Sequence, residues 1–222
     1  DTLIGSAGND NIDGGAGTDT AVYSARHAAY SIAPTSGGYS VSGPDGTDSL
    51  VNIERLQFTD GHLAFDLDGS AGQVYRLYKA AFARTPDLSG LGGWIHGMDT
   101  GLTLDQVASG FIGSAEFESL YGANPTDAQF VTLLYVNVLG RAPDTGGYNY
   151  WVGELSGGLQ TRAHVLATFS ETAENKAAVA PLITSGILYA DAAQASGPAR
   201  GQAFNGTSGG DWLIGSVGND TF

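Results

Sequence analysis

The sequence predicts an α+β protein: fragments of a parallel β-roll with an antiparallel β cap, plus an all-α helical domain built from a duplicated unit. Three observations predict it. Glycine and aspartate recur with a nine-residue period at the N-terminus, and the same composition returns at the C-terminus. Residues 23–66 alternate in the manner of strands, whereas residues 70–195 place apolar side chains at helical spacing. The expected boundaries are therefore 1–66 for roll and cap, 67–196 for the helical domain, and 197–222 for the start of a second roll. Gly197-Pro198 and Gly201 mark the last junction as a loop.

The first element is a pair of nine-residue units, Gly5-Ser6-Ala7-Gly8-Asn9-Asp10-Asn11-Ile12-Asp13 and Gly14-Gly15-Ala16-Gly17-Thr18-Asp19-Thr20-Ala21-Val22, preceded by the tail of another in Asp1 to Ile4. Both fit G-G-x-G-x-D-x-U-x with U apolar, Ser6 standing in for a glycine. Glycine permits backbone conformations in which main-chain carbonyls converge. Aspartate adds a hard charged oxygen, and calcium takes about six to eight oxygen ligands. The expected ligands are the carboxylates of Asp1, Asp10 and Asp19 together with Gly5, Ala7, Asn9, Gly14, Ala16 and Thr18. Two units make one turn of a roll, so Asp1 and Asp19 should share one edge and Asp10 the other. A flexible Gly/Asn/Asp linker has similar composition, but the regular placing of Leu3, Ile12 and Ala21 argues against it.

The C-terminus repeats the start. Asp211 to Asp220 matches Asp1 to Asp10 at eight of ten positions, which adds Asp211, Gly215, Val217, Asn219 and Asp220 to the expected calcium ligands. Between the ends, Tyr30/Ile32 and Tyr39/Val41 alternate around a turn at Ser36-Gly37-Gly38, the pattern of a hairpin. Asp66-Leu67-Asp68-Gly69 has the look of an EF-hand opening, but its twelfth position is Leu77 and not glutamate, so Asp68 is expected to cap a helix instead.

The helical region is duplicated at an offset of 57: Val74, Leu77 and Tyr78 match Val131, Leu134 and Tyr135, Arg84-Thr85-Pro86-Asp87 matches Arg141-Ala142-Pro143-Asp144, and Trp94 matches Trp151. One residue is then inserted before Phe111/Phe169 and Glu116/Glu174. The apolar stripes and both tryptophans read as core. Pro86 and Pro143 end helices, and Arg84/Asp87 and Arg141/Asp144 are expected to clip the turns. Tyr148, Tyr150 and Trp151 exceed what the periodicity needs. They could contact a glycan by stacking, against the plainer reading that all three serve the core.

The nonapeptides, continuing through Thr20-Ala21-Val22-Tyr23-Ser24 to Asn52-Ile53-Glu54-Arg55-Leu56-Gln57-Phe58-Thr59-Asp60-Gly61, resemble the hemolysin-type, or RTX, calcium-binding repeats of bacterial proteins exported by type I secretion. That resemblance implies a roll capped by antiparallel strands, bound Ca2+, and a chain that folds only outside the cell, where calcium is plentiful. The Arg-x-Pro-Asp, Gly, Trp, Phe-x-x-Ser/Thr-x-Glu pattern over roughly residues 70–182 resembles DUF4214, a family of unknown function that often accompanies RTX repeats. Its helical units are similar to anchoring regions of some surface-layer (S-layer) proteins, which implies adhesion and a cell-surface polysaccharide as a partner.

Charge and composition narrow the partners. Acidic residues outnumber basic ones by 23 to 9, a net charge of −14, which repels nucleic acid backbones and suits a cation binder, although acidity also serves plain solubility. No apolar run reaches the length of a membrane span. Cysteine is absent, excluding disulfides and thiolate chemistry. Met98 is the only methionine, so the chain reads as a processed product or a piece of something longer. Gly206-Thr207-Ser208-Gly209-Gly210 matches G-x-S-x-G only formally, and His27, His62, His96 and His164 are scattered, so no enzymatic activity is expected. The sequence thus points to a calcium-binding structural or adhesive module of a secreted or cell-surface bacterial protein, with self-association head to tail through the matched ends. The alternatives are a glycan- or lipopolysaccharide-binding module, or the export region of a larger enzyme.

Overall fold

A computed structural model describes residues 1–191, and the chain divides into two compact units. Among the described residues, one unit comprises Asp1–His62, Asp87–Gly93 and residues 188–191; the other comprises Leu63–Pro86 and Trp94–Ile187.

The first unit is built on three-residue strands, β1 (Thr2–Ile4), β2 (Asn11–Asp13) and β3 (Thr20–Val22), one for each x-U-x segment. β1 pairs in parallel with β3, Thr2 opposite Thr20, whereas β2 belongs to the other sheet. An 18-residue period therefore returns each strand to its own sheet, and Leu3, Ile12 and Ala21 turn inward, Ala21 completely. After a short 3₁₀ turn at His27–Ala29 come β4 (Ser31–Thr35), β5 (Gly38–Gly43), β6 (Gly46–Val51), β7 (Arg55–Phe58) and β8 (Gly61–Ala64). β4 and β5 form the expected antiparallel hairpin, joined through Ser36-Gly37, and β5 pairs antiparallel with β6. With β9 (Ile187–Tyr189), the sheet orders are β1-β3-β7-β8-β9 and β2-β6-β5-β4.

The cap corrects the simpler expectation in one respect. β6 and β7 do not only close the roll with antiparallel partners; they lie parallel on β2 and β3, with Ile12 opposite Leu50 and Ala21 opposite Leu56. Leu50 and Leu56 are fully buried, so they continue the inward apolar columns of the roll. Tyr23, Tyr30 and Phe58 pack beside them, with Tyr23 and Tyr30 centroids 4.9 Å apart.

The helical region contains the duplication, and all of it but residues 88–93 lies in the second unit. α1 (Ser70–Phe82) and α2 (Leu88–Asp99) recur 57 residues on as α5 (Asp127–Leu139) and α6 (Thr145–Ser156). α3 (Leu104–Ile112) and α4 (Ala115–Tyr121) recur 58 residues on as α7 (Arg162–Ser170) and, at its start, α8 (Ala173–Ile183). Thr103 and Thr126 close capping boxes with Gln106 and Gln129, while Ser114, Asp144, Thr161 and Thr172 accept bonds from first-turn N–H groups. In the first copy Tyr78, Phe82 and Trp94 surround Phe111; in the second, Tyr135 and Trp151 meet Phe169. Burying each such ring contributes on the order of 2 kcal/mol. The arginines of the two turns reach a glutamate on a later helix: Arg84 Nη2 is 2.9 Å from Glu116, and Arg141 Nε is 3.0 Å from Glu174. Arg141 also lies 3.6 Å from Asp144, as expected, while Asp87 and Asp144 accept bonds from the N–H groups of Gly90 and Gly147.

The cap of α1 is not the one the sequence suggests. Asp68 is solvent-exposed and makes only a 3.9 Å approach to Lys176; the carboxylate that accepts from the first turn is Asp66, 3.0 Å from the Ala71 nitrogen. The chain turns at Gly69, which brings Asp66 and not Asp68 under the open N–H groups.

Candidate metal site

The candidate site lies along the two edges of the roll, and its geometry begins with the glycines. Gly8 and Gly17, the last glycine of each nonapeptide, have φ of +140° and +127°, conformations that a side chain rarely adopts. Gly14 is needed for closeness: a Cβ there would stand 2.2 Å from the Asn52 carbonyl and 2.6 Å from the Asp19 side chain. The backbone is thereby folded tightly over the aspartates.

Asp1 and Asp19 stand on one edge, in the register that pairs Thr2 with Thr20, and Asp10 stands in the other sheet. Asp19 is the focus. Its side chain is 1% exposed; one oxygen lies 2.6 Å from the α-ammonium of Asp1, and the other, Oδ2, is buried with no hydrogen-bond partner. A buried carboxylate oxygen left without a donor costs about 1–3 kcal/mol or more. Ser6 Oγ lies 3.2 Å from both oxygens of Asp10. Among the described residues no three acidic or imidazole side chains converge, so a cation here has to be held largely by main-chain oxygens. Those of Gly5, Ala7, Asn9, Gly14 and Ala16 accept no hydrogen bond from described residues, and that of Thr18 lies 3.3 Å from the Asp1 amine. A buried anionic oxygen without a donor, glycine-tight loops and uncommitted carbonyls fit a hard, oxygen-seeking ion such as calcium.

Sequence reasoning missed two carboxylates beside these loops. Asp48, 4% exposed, accepts from the Asp10 nitrogen at 3.0 Å, and Glu54 accepts from the Asp19 nitrogen at 3.0 Å. Their signal is an acidic residue two positions before an apolar one, as in the repeats; Gly43 and Gly46 also precede Asp48 at the repeat spacing, whereas Glu54 lacks the glycines. Burial, together with the negative charge of Asp48, pushes the Tyr23 phenol well above its ordinary range. Asp45, nearby in sequence, is held below the usual carboxylate range by the Ser24 hydroxyl, then by the Tyr30 hydroxyl and the Ser24 N–H.

The aromatic trio of the helical domain is divided. Tyr148 lines an open groove of about 650 Å³ with Tyr121, Pro125, Gln129, Thr132 and Leu133. Trp151 packs on Phe169, and the half-exposed Tyr150 meets Trp151 edge-on at 4.9 Å. His62 and His164 each pair with one carboxylate, Asp191 at 3.0 Å and Asp105 at 2.9 Å. The C-terminal ligands Asp211, Gly215, Val217, Asn219 and Asp220, and the Gly206–Gly210 motif, lie outside the described residues. Among the described residues no helix is long and apolar enough to cross a membrane.

A short-stranded roll with glycine-tight acidic loops, followed by duplicated helices, defines a repeat-type calcium-binding protein. The family comparisons agree. The model of the RTX calcium-binding nonapeptide repeat matches residues 1–22 and 205–222, and that of the domain of unknown function DUF4214 matches residues 69–118 and 108–179. The DUF4214 matches together span half of the chain, which belongs to that family and carries RTX calcium-binding repeats at its two ends. Neither is a catalytic family. No curated protein and no solved structure matches the chain.

Proposed function

We propose that the chain is a calcium-stabilised structural module of a secreted or surface-attached bacterial protein, in which calcium bound at residues 1–19 completes the β unit. The observation that carries this reading is the buried Asp19 carboxylate, whose Oδ2 has no donor at the centre of a glycine-tight repeat. The ion would supply the missing positive charge, with Asp1, Asp10 and Asp19 and the loop carbonyls as its ligands. Calcium at about ten times a site's dissociation constant contributes roughly 1.4 kcal/mol for each site. A few sites then weigh heavily against total stabilities of about 5–15 kcal/mol. This also suits export, because a chain that needs calcium stays unfolded where calcium is scarce. The test is a thermal melt followed by far-UV circular dichroism, in calcium and in chelator. A β signal that melts at the same temperature in both media rejects the proposal.

The match between residues 1–10 and 211–220 favours assembly as a second level of the same reading. Copies would join head to tail, Asp211 and Asp220 of one completing loops of the next, and calcium would hold a layer or fibre together. Light scattering that reports a monomer at every calcium concentration ends this idea. A glycan-binding role for the helical unit is supported by the groove beside Tyr148, whose Gln129 and Thr132 offer polar contacts. Titration with cell-surface polysaccharide, with Tyr148→Ala as the control, decides it, and an absence of saturable binding by the wild type removes it.

A further inference from the structure

The roll does not stop at its last nonapeptide. One pair of hydrogen bonds recurs at three places in the first unit, and one of the three joins the N-terminal repeats to each other. In that one, the Thr20 nitrogen donates to the Asp1 carbonyl at 2.8 Å and the Asp1 nitrogen donates to Asp19 Oδ1 at 2.6 Å. In the second, Ser49 donates to the Asp10 carbonyl at 2.9 Å and the Asp10 nitrogen to Asp48 Oδ1 at 3.0 Å. In the third, Arg55 donates to the Asp19 carbonyl at 3.0 Å and the Asp19 nitrogen to Glu54 Oε2 at 3.0 Å. Strand register says the same: Asn11 faces Ser49 and Thr20 faces Arg55, which sets Asp48 over Asp10 and Glu54 over Asp19. Asp48-Ser49-Leu50 and Glu54-Arg55-Leu56 thus occupy the places of Asp10-Asn11-Ile12 and Asp19-Thr20-Ala21, with their leucines in the apolar column.

This makes residues 43–58 one further turn of the roll: Gly43 and Gly46 precede Asp48 as Gly5 and Gly8 precede Asp10, with Gly46 at φ +124°, and Asn52, at φ 51°, stands two places before Glu54, where the repeat at Asp19 has Gly17. One edge then stacks Asp1, Asp19 and Glu54, and the other stacks Asp10 and Asp48. Stacked carboxylates in a water-poor site repel unless a cation stands between them. The buried Oδ2 of Asp19, with no hydrogen-bond donor, is an independent sign that such a cation belongs there.

We propose that Asp48 and Glu54 are calcium ligands supplied by the cap: Glu54 acts with Asp19 and the 14–18 loop on one edge, and Asp48 with Asp10 and the 5–9 loop on the other. The inference rests on the reading of the roll as calcium-binding and adds its outermost ligands. It accounts for a last turn in which Asp48 keeps the glycine spacing of the repeats, through Gly43 and Gly46, and Glu54 keeps the acidic position alone.

The test is calorimetric titration of the full chain with calcium chloride, comparing wild type, Glu54→Gln, Asp48→Asn and the helical-surface control Glu118→Gln. Glutamine and asparagine keep an oxygen for the main-chain N–H of Asp19 or Asp10 and remove only the charge. The expected result is that each cap variant loses about one bound calcium per chain, or binds it at least tenfold more weakly, while Glu118→Gln follows the wild type. Cap variants that match the wild type in both number and affinity overturn the inference while leaving the calcium reading intact. A wild type that takes up no calcium overturns both. Should a variant fail to fold, calcium anomalous scattering from wild-type crystals decides the matter. An ion within about 2.3–2.6 Å of Glu54 or Asp48 oxygens supports the assignment, and ions that avoid both residues refute it.

Discussion

Replacing Asp19 by asparagine should change stability in opposite directions with and without calcium. In chelator the wild-type carboxylate is buried at 1% exposure, its Oδ2 lacks a donor, and Glu54 accepts from the same residue's nitrogen. Removing the charge relieves the desolvation and the repulsion from Glu54, and it gives up the bond from the Asp1 amine. A buried polar group without a partner costs about 1–3 kcal/mol, against about 1 kcal/mol for a terminal ion pair exposed on one side. The variant should therefore equal or exceed the wild type, by up to roughly 2 kcal/mol. In calcium the balance reverses, because a neutral amide is a poor calcium ligand. Losing a single site at ten times its dissociation constant removes roughly 1.4 kcal/mol. For a chain of this size that is a fall of about 3–6 °C in the melting of the β signal. Far-UV circular dichroism of both proteins in both media measures the four midpoints. If Asp19→Asn shifts the midpoint in the same direction in calcium and in chelator, the carboxylate is not a cation ligand, and the argument from its buried oxygen fails.

Other perturbations separate buried from exposed charge and test the pH response. Glu171→Ala strands Arg76, 3% exposed and held by Glu171 at 2.6 and 2.8 Å, and should cost about 3–5 kcal/mol whether or not calcium is present. The matching change at Glu174, whose partner Arg141 is solvent-exposed, should leave the midpoint of the same chemical denaturation series close to the wild type. Ala83 ends α1 in the left-handed conformation at φ 52°, where the second copy has Gly140, so Ala83→Gly should raise stability by about 1 kcal/mol in urea unfolding. Asp45 is held below its ordinary value of 3.8 by Ser24 and Tyr30, so its contribution is complete above that value and disappears as pH falls through the lower folded value. Asp45→Asn should accordingly be less stable at neutral pH, and the gap should close under acid, as read by melts across pH.

The helical unit is legible in the sequence because its period survives in the fold. Tyr78 and Tyr135, Trp94 and Trp151, and Phe111 and Phe169 meet in equivalent aromatic contacts, and the single inserted residue falls between α6 and α7. Side chains that point into a core must recur at helical spacing, so composition and period reveal them together. The cap of α1 was less legible. Asp66 and Asp68 are both plausible capping residues by type, and only the turn at Gly69 decides between them. The groove beside Tyr148 had no local signal either. It gathers Tyr121, Pro125, Gln129 and Tyr148 from the end of one copy and the start of the next, and no period connects those positions.

The acidic ladder shows why the calcium site was only half visible. A nonapeptide pattern identifies a turn by its glycines, which bend the chain, and its aspartate, which holds the ion, and treats them as inseparable. In this fold they stay together at Asp48, which follows Gly43 and Gly46, and separate at Glu54. Between Asp10 and Asp48 the chain runs out through the hairpin of β4 and β5, yet returns to set Asp48 one strand spacing away, in the same register as a repeat would. Glu54 returns over Asp19 in the same way. What the ladder fixes is a main-chain N–H to be accepted and an apolar column to be continued. Any loop that delivers an acid followed two positions later by a buried apolar residue meets both demands. The side chain two places after the acid is therefore as diagnostic as the glycines before it. Leu50 and Leu56 mark this last turn because an acid displaced by one residue would send them to the solvent face.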